Sequence, residues 1–243
     1  MATLVLVHGA WHGGWCWDTL VPLLEAQGHT VIAPDLPGHD TSDGAPATTT
    51  LEDYGRAVAA VANAQSGPVV LVGHSMGGGV ITQAASYSTN LAGLVYVAAF
   101  VPQHGDSIAA LAGSGPDSEL NDYVDLAPTG THTTIREGGA AIVFYGHCAP
   151  DAAAAAADRL IPQAITPLTD ALEDPYNAAM TLPAFGIICT DDKAVHPDLQ
   201  RVMCGERGMP TFDLDTDHSP FMSMPETLAD TLSTALSEMD LSS

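Results

Sequence analysis

Six short apolar runs recur along the chain, at residues 4–7, 30–33, 69–72, 94–98, 184–189 and 211–214, and they limit its fold more than any other feature. The runs are nearly continuous rather than alternating. A strand wetted on one face would be apolar only at every second position, so continuous runs imply strands covered on both faces. Helical stretches separate them, at 17–27, 51–65, 76–87, 197–207 and 225–238, and Gly28 and Gly208 stand as stops behind two of these. Alternation of this kind predicts an α/β chain. Its core is a doubly wound, mostly parallel sheet with helices on both faces.

One stretch departs from the alternation. Residues 104–181 show no clear strand and hold Gly/Pro turns and the alanine run 152–157, which reads as helix. So long a segment is not a plain loop. It is expected to form a small helical cap inserted between two strands, above the carboxyl ends of the sheet. The chain then divides into an α/β core, 1–103 and 182–243, and a cap, 104–181.

Gly73-His74-Ser75-Met76-Gly77 lies where the third apolar run meets the following helix. Three fixed positions match by chance in about one chain in twelve. The strand before and the helix after are further requirements, and both are met. A sharp strand-to-helix turn lifts the Ser75 hydroxyl free of the sheet edge, and the glycines on either side let strand and helix approach. The helix N-terminus brings positive partial charge to the same place. A phosphate loop is excluded, because no Gly-Lys-Ser/Thr follows.

The segment His8-Gly9-Ala10-Trp11-His12-Gly13-Gly14-Trp15 follows the first run directly. A loop in that position supplies one backbone N–H to a tetrahedral oxyanion, and the residue after the nucleophile supplies the other. The donors expected here are the amides of Ala10 and Met76. His8 and His12 are four apart, but a glycine-rich loop does not hold the helical face that metal ligands at that spacing need. No metal is expected.

Among ten histidines, His218 stands just after the last run, where the order serine, acid, histidine ends. It is the expected general base. His74 is expected to point along the turn, away from the base. The acid should follow the run 184–189, where Asp191 and Asp192 both stand; one would orient the imidazole and the other serve the turn. Asp215 and Asp217 are nearer in sequence but lie on the histidine's own loop.

Composition narrows the partners. Twenty-nine acidic against 6 basic side chains give a net charge of −23, which repels nucleic acid and anionic membrane surfaces. None of the four cysteines forms a C-x-x-C pair, and reduced thiols are expected. No apolar run approaches the roughly 18 residues of a membrane span. No basic stretch precedes the first run, so a cytoplasmic protein is expected.

Taken together these residues resemble the α/β-hydrolase superfamily, and within it the plant methylesterase and hydroxynitrile lyase group with its bacterial esterase relatives. The likeness rests on 8–17, 23–31, 70–78, 98–102, and 189–193 followed by Leu199-Gln200-Arg201; it fades across 105–140. In that group's pattern the acid precedes a lysine, which implies Asp192, the residue before Lys193. The resemblance further implies an apolar acyl pocket under a small cap and no cofactor, in a group where homodimers are frequent. The lyase branch resembles a pattern with Thr at Gly9, Glu at His74 and Lys at Ser219. This chain departs from it at all three positions and suits an esterase.

The expected activity is hydrolysis of small apolar or aromatic carboxylic esters, through an acyl-enzyme on Ser75 with His218 and Asp192. Trp11, Phe144, Phe221 and Met222 are the candidates to line the substrate pocket, chosen from a wider set that includes Phe100, Tyr123 and Tyr145. Two alternatives stand beside it. One is a lyase or carbon–carbon hydrolase on the same triad, which mandelonitrile cleavage would reveal. The other is a small-molecule receptor with a vestigial triad, which would bind without turnover.

Overall fold

The computed structural model describes residues 2–40, 44–172 and 176–239. Its elements in chain order begin with β1 (Thr3–Val7), α1 (Val21–Ala26), β2 (Thr30–Ile32), α2 (Leu51–Asn63), β3 (Val69–His74), α3 (Gly77–Ala84) and β4 (Leu91–Val97). The insertion follows, with α4 (Ile108–Ala112), β5 (Val124–Leu126), β6 (His132–Ile135), α5 (Gly139–Val143), α6 (Pro150–Ala157), β7 (Gln163–Ala164), α7 (Thr166–Thr169) and α8 (Tyr176–Met180). The chain then returns to the main sheet through β8 (Ala184–Cys189), α9 (Pro197–Arg207), β9 (Thr211–Leu214), α10 (Pro220–Ser223) and α11 (Pro225–Glu238).

Among the described residues, six strands pair in the order β2-β1-β3-β4-β8-β9, and every pairing is parallel. The continuous apolar runs are explained by what covers them. Val5, Val7, Val69 and Leu71 face one way, into a core with Tyr54 and Val58 of α2 and Val80 and Ile81 of α3. Leu4, Leu6, Val70 and Val72 face the other way, onto Leu24 of α1 and Leu228 and Leu232 of α11. Alternate residues of one run thus feed two cores, and neither face can be polar.

Local signals fix the helix ends. Thr50 caps α2, accepting from the Asp53 amide while the Asp53 carboxylate accepts from the Thr50 amide. Gly208 closes α9 at φ +69, where a side chain would be strained. The helix expected over 17–27 is shorter. A single 3-10 turn, Gly14–Trp17, comes first, and α1 starts only at Val21, with Pro22 in its first turn. Proline lacks the N–H an interior position would need, so the helix begins there.

The insertion corrects one expectation. Besides helices it contains a three-stranded antiparallel sheet, β5-β6-β7. These strands are short and largely polar, Val-Asp-Leu, His-Thr-Thr-Ile and Gln-Ala, and carry no apolar run to betray them. The alanine run does form helix, as α6.

The strand order places the site. From β1 the chain moves to β2 on one side and then to β3 on the other, so the crossovers diverge at the carboxyl ends of β1 and β3. A crevice opens at such a switch point. The loop after β1 and the turn after β3 both project into it.

Candidate active site

Ser75 sits on the turn between β3 and α3 with φ +54, a left-handed conformation for a residue with a side chain. The neighbouring elements hold it there. The Ser75 amide donates to the Val97 carbonyl at 3.2 Å, and its carbonyl accepts from Gly78 and Phe100 at 3.0 and 3.1 Å. The flanking glycines are demanded by close backbone approach. A Cβ on Gly73 would stand 2.5 Å from the Gly77 carbonyl oxygen, and one on Gly77 would stand 2.5 Å from that of Val7. Ser75 is 8% exposed, on the wall of a cavity.

His218 lies in the turn between β9 and α10, and Asp192 in the turn after β8. The His218 Nδ1 meets the Asp192 Oδ2 at 2.8 Å, with both side chains buried. Asp192 receives three further N–H groups. Its Oδ1 accepts from the Ala194 and Val195 amides at 2.8 and 2.9 Å, and its Oδ2 accepts from the Gln200 side chain at 2.8 Å. Only an ionised carboxylate accepts at so many points. The imidazole therefore carries its proton on Nδ1 and leaves the Nε2 lone pair free.

The other carboxylates have different partners. Asp191 points to the half-exposed His147 of the insertion, 2.7 Å away. Asp217 is buried and accepts from the His147 amide, the Ser219 amide and the Ser223 hydroxyl, which ties three segments together. Sequence reasoning missed Gln200. Its amide nitrogen bridges Asp192 and the Val195 carbonyl, and its oxygen accepts from the Cys189 amide, so it locks the acid to the end of β8. A glutamine on the buried face of α9 was the available signal.

His74 corrects an expectation. It does not point away from His218. Its Nε2 donates to the His218 carbonyl at 2.8 Å, and the two rings lie 4.5 Å apart. Burial, and then the nearness of His218, push this imidazole well below its ordinary range, so it is a neutral prop beneath the loop.

Ala10 and Met76 border the same cavity as Ser75. Among the described residues, no hydrogen bond runs from either amide to a protein acceptor. The loop carrying Ala10 is held by imidazoles: His8 Nδ1 donates to the Gly9 carbonyl at 2.9 Å and His12 Nδ1 to that of Ala10 at 2.8 Å. Burial pushes His8 well below its ordinary range, and the neighbouring His39 adds to the effect. No group of three or more His, Cys, Asp or Glu side chains among the described residues is arranged to hold a metal ion.

The cavity has a volume of about 350 Å³. Trp11 lines it as expected, with its indole N–H turned aside to the Thr133 carbonyl at 3.2 Å. The other three expected pocket residues do not border it. Phe221 is wholly buried against Trp17 and His74. Phe144 packs against His12 and lies 5.6 Å from the His218 ring, a wall of the histidine rather than of the cavity. Met222 is partly buried beside the core. Phe100, Ile108, Leu120, Val124, Leu168 and Val195 enclose the space instead, with small residues of α4. No lining side chain is acidic, basic or a histidine.

Comparison with known proteins agrees with this architecture. The model of the alpha/beta hydrolase family matches residues 4–231. A pyrethroid hydrolase of Sphingobium wenxiniae is 31% identical, over 94% of this chain and 85% of its own. The salicylic acid-binding protein 2 of Nicotiana tabacum is 32% identical, over 81% and 82% of the two chains. The crystal structure of a pyrethroid hydrolase from Sphingobium faniae superimposes with a TM-score of 0.84 at 28% identity, covering 98% of each chain. The chain belongs to the alpha/beta hydrolase family, and it is an ester-hydrolysing enzyme of that family.

Proposed function

We propose that the chain hydrolyses uncharged, apolar or aromatic carboxylic esters with Ser75 as nucleophile, His218 as general base and Asp192 as its orienter. The observation that carries this reading is the buried 2.8 Å bond from His218 to Asp192, with the acid held by three other N–H groups. That bond fixes the tautomer. His218 Nε2 takes the Ser75 proton as the oxygen attacks the ester carbonyl carbon. The amides of Ala10 and Met76 stabilise the oxyanion. The intermediate collapses, the alcohol leaves with the proton from His218, and an acyl-Ser75 ester remains. Water, deprotonated by the same imidazole, then releases the acid and regenerates the hydroxyl.

The substrate class is argued from the cavity. A wall without ionisable groups gives a charged acyl group no partner and a large desolvation penalty. Its size suits a compact ring or a short branched chain. Residues 104–181 act as the cap over a core of 1–103 and 182–243, since Ile108, Leu120, Val124 and Leu168 all come from the insertion.

The test is turnover of short-chain nitrophenyl esters by purified protein and by Ser75→Ala. The variant should lose more than about 10⁴-fold in kcat while keeping the wild-type melting temperature. Retained turnover in Ser75→Ala would remove Ser75 from the mechanism.

A further inference from the structure

The loop between β1 and the 3-10 turn carries two imidazoles that the mechanism does not use, His8 and His12, and both are buried. Their placement concerns the carbonyl groups of residues 9–12. None of the four is drawn into the sheet. The Gly9 carbonyl accepts from His8, that of Ala10 from His12, and that of His12 from His39 Nδ1 at 2.6 Å. The Trp11 carbonyl accepts from the Ile161 amide of the insertion at 3.0 Å.

His12 has the furthest reach. A carbonyl can only accept, so Nδ1 carries the proton and the neutral ring presents a lone pair on Nε2. That lone pair faces the Tyr145 hydroxyl at 2.8 Å, which must donate. Tyr145 follows α5 in the insertion, 133 residues away, and is buried. Burial pushes the His12 imidazole down to about 4, so it stays neutral at ordinary pH. On the loop side, the carbonyl it holds belongs to the peptide joining Ala10 to Trp11, and Trp11 stands at φ +61. That conformation is costly for a tryptophan and needs holding. The peptide on the other side of Ala10 carries the expected oxyanion donor.

We propose that His12 is a positioning residue for the oxyanion loop, and that Tyr145 couples the seating of the insertion to the aim of the Ala10 amide. The inference rests on the functional reading above. When the insertion is in place, the tyrosine fixes the His12 tautomer, the imidazole pins the Ala10 carbonyl, and the strained turn at Trp11 keeps the neighbouring amide directed into the cavity. When the tyrosine hydroxyl is lost, the imidazole can turn or change tautomer, and the loop relaxes.

The experiment compares His12→Ala, His12→Asn and Tyr145→Phe with wild type. The asparagine side-chain nitrogen falls where Nδ1 stands, so it restores the donor to Ala10. Four quantities are read: kcat and KM on a nitrophenyl ester, inhibition by a trifluoromethyl ketone, and melting temperature. The ketone forms a tetrahedral adduct with a serine and depends on the oxyanion site, as the transition state does. His12→Ala should lose about 10- to 100-fold in kcat, less than removal of a whole oxyanion donor, with KM changed less than about threefold. Ketone affinity should fall in proportion. His12→Asn restores the donor to Ala10 but not the tyrosine link, so it should recover only to about the level of Tyr145→Phe, which should lose about 5- to 10-fold in kcat.

A folded His12→Ala with wild-type kcat would overturn the inference, and so would a loss confined to KM with ketone binding intact. If His12→Ala does not fold, His12→Asn and Tyr145→Phe decide: wild-type ketone affinity in Tyr145→Phe refutes the coupling. Failure of the functional reading looks different. Wild-type protein would then hydrolyse no ester and resist labelling by a fluorophosphonate.

Discussion

His12 also predicts how stability responds to acid. Its pKa falls from 6.5 to about 4 on folding, chiefly through burial. Between those values the unfolded chain binds a proton at this imidazole and the folded chain does not. Stability therefore rises with pH across the window, is fully present above 6.5, and is lost as pH falls towards 4. Each pH unit within the window is worth about 1.4 kcal/mol, so the group costs the fold about 3 kcal/mol on crossing it. His8 and His74 act in the same direction, also mainly through burial. Raw melting curves would not isolate the effect, because acid also relieves the repulsion of a chain with net charge −23. A difference measurement does. His12→Asn keeps a donor to Ala10 but has nothing to titrate, and all other charges are common to both proteins. Urea unfolding is followed for each from about pH 7.5 to about pH 4.5. Whatever the variant costs at neutral pH, it should gain about 2–3 kcal/mol on wild type by the acid end. A pH-independent difference, with equal m-values, would mean that the folded state protonates His12 freely and that the closed, neutral geometry is wrong.

Three further substitutions test the site. Asp192→Asn removes the counter-charge and disturbs the tautomer, and should cost about 10³–10⁴ in kcat. Asp191→Asn breaks only the half-exposed contact with His147 and should change kcat by less than about twofold; steady-state kinetics showing the opposite ranking would exchange their roles. Gly9→Thr would place a Cβ 2.8 Å from that of Ser75 and 3.0 Å from His74 Nδ1. It should lower ester turnover at least about tenfold without conferring mandelonitrile cleavage, and undiminished esterase activity would show that the loop yields more readily than its hydrogen bonds imply.

The main sheet was legible because its signal is a consequence of burial. The run at Ala184–Cys189 became strand β8 over those residues, since a strand covered on both faces has little choice of side chain, whereas β9, over Thr211–Leu214, is an edge strand with Thr211 and Asp213 exposed. The places of Ser75, on the turn after β3, and of His218, after β9, were legible because the elbow and the chain order tie them to that sheet. Asp191 and Asp192 were not separable from the residues alone; the distinction is which way each points from one turn, and it took a resemblance to choose. Gln200 was hidden for the opposite reason. A single polar residue on an otherwise apolar helix face has many explanations until a carboxylate is seen above it. The pocket was misjudged through Phe144 and Phe221. Large aromatic residues beside catalytic ones fill the support behind a site as readily as its wall, and sequence distance carries no sign of which side they take. The strands β5, β6 and β7 pair with one another over only a few residues, so neither alternation nor an apolar run had room to develop.

The crowd of buried histidines around the site leads to a rule for telling base from scaffold. His8, His12, His39 and His74 are all buried, and each turns one ring N–H to a backbone carbonyl. A carbonyl bears only a partial charge, so a second proton on these rings would be a nearly uncompensated buried cation. They are stable as neutral donors and are suited to holding loops. His218 differs in one respect. Among the described buried imidazoles, it alone has an ionised carboxylate on its Nδ1, and that carboxylate is itself held by other N–H groups. The imidazolium that forms when a nucleophile gives up its proton would find its counter-charge already in place. Equal burial thus yields opposite chemistry, and the deciding variable is what faces the first nitrogen. Asp192→Asn would place His218 among the props: still buried, still hydrogen-bonded, and no longer able to keep a proton through a catalytic cycle.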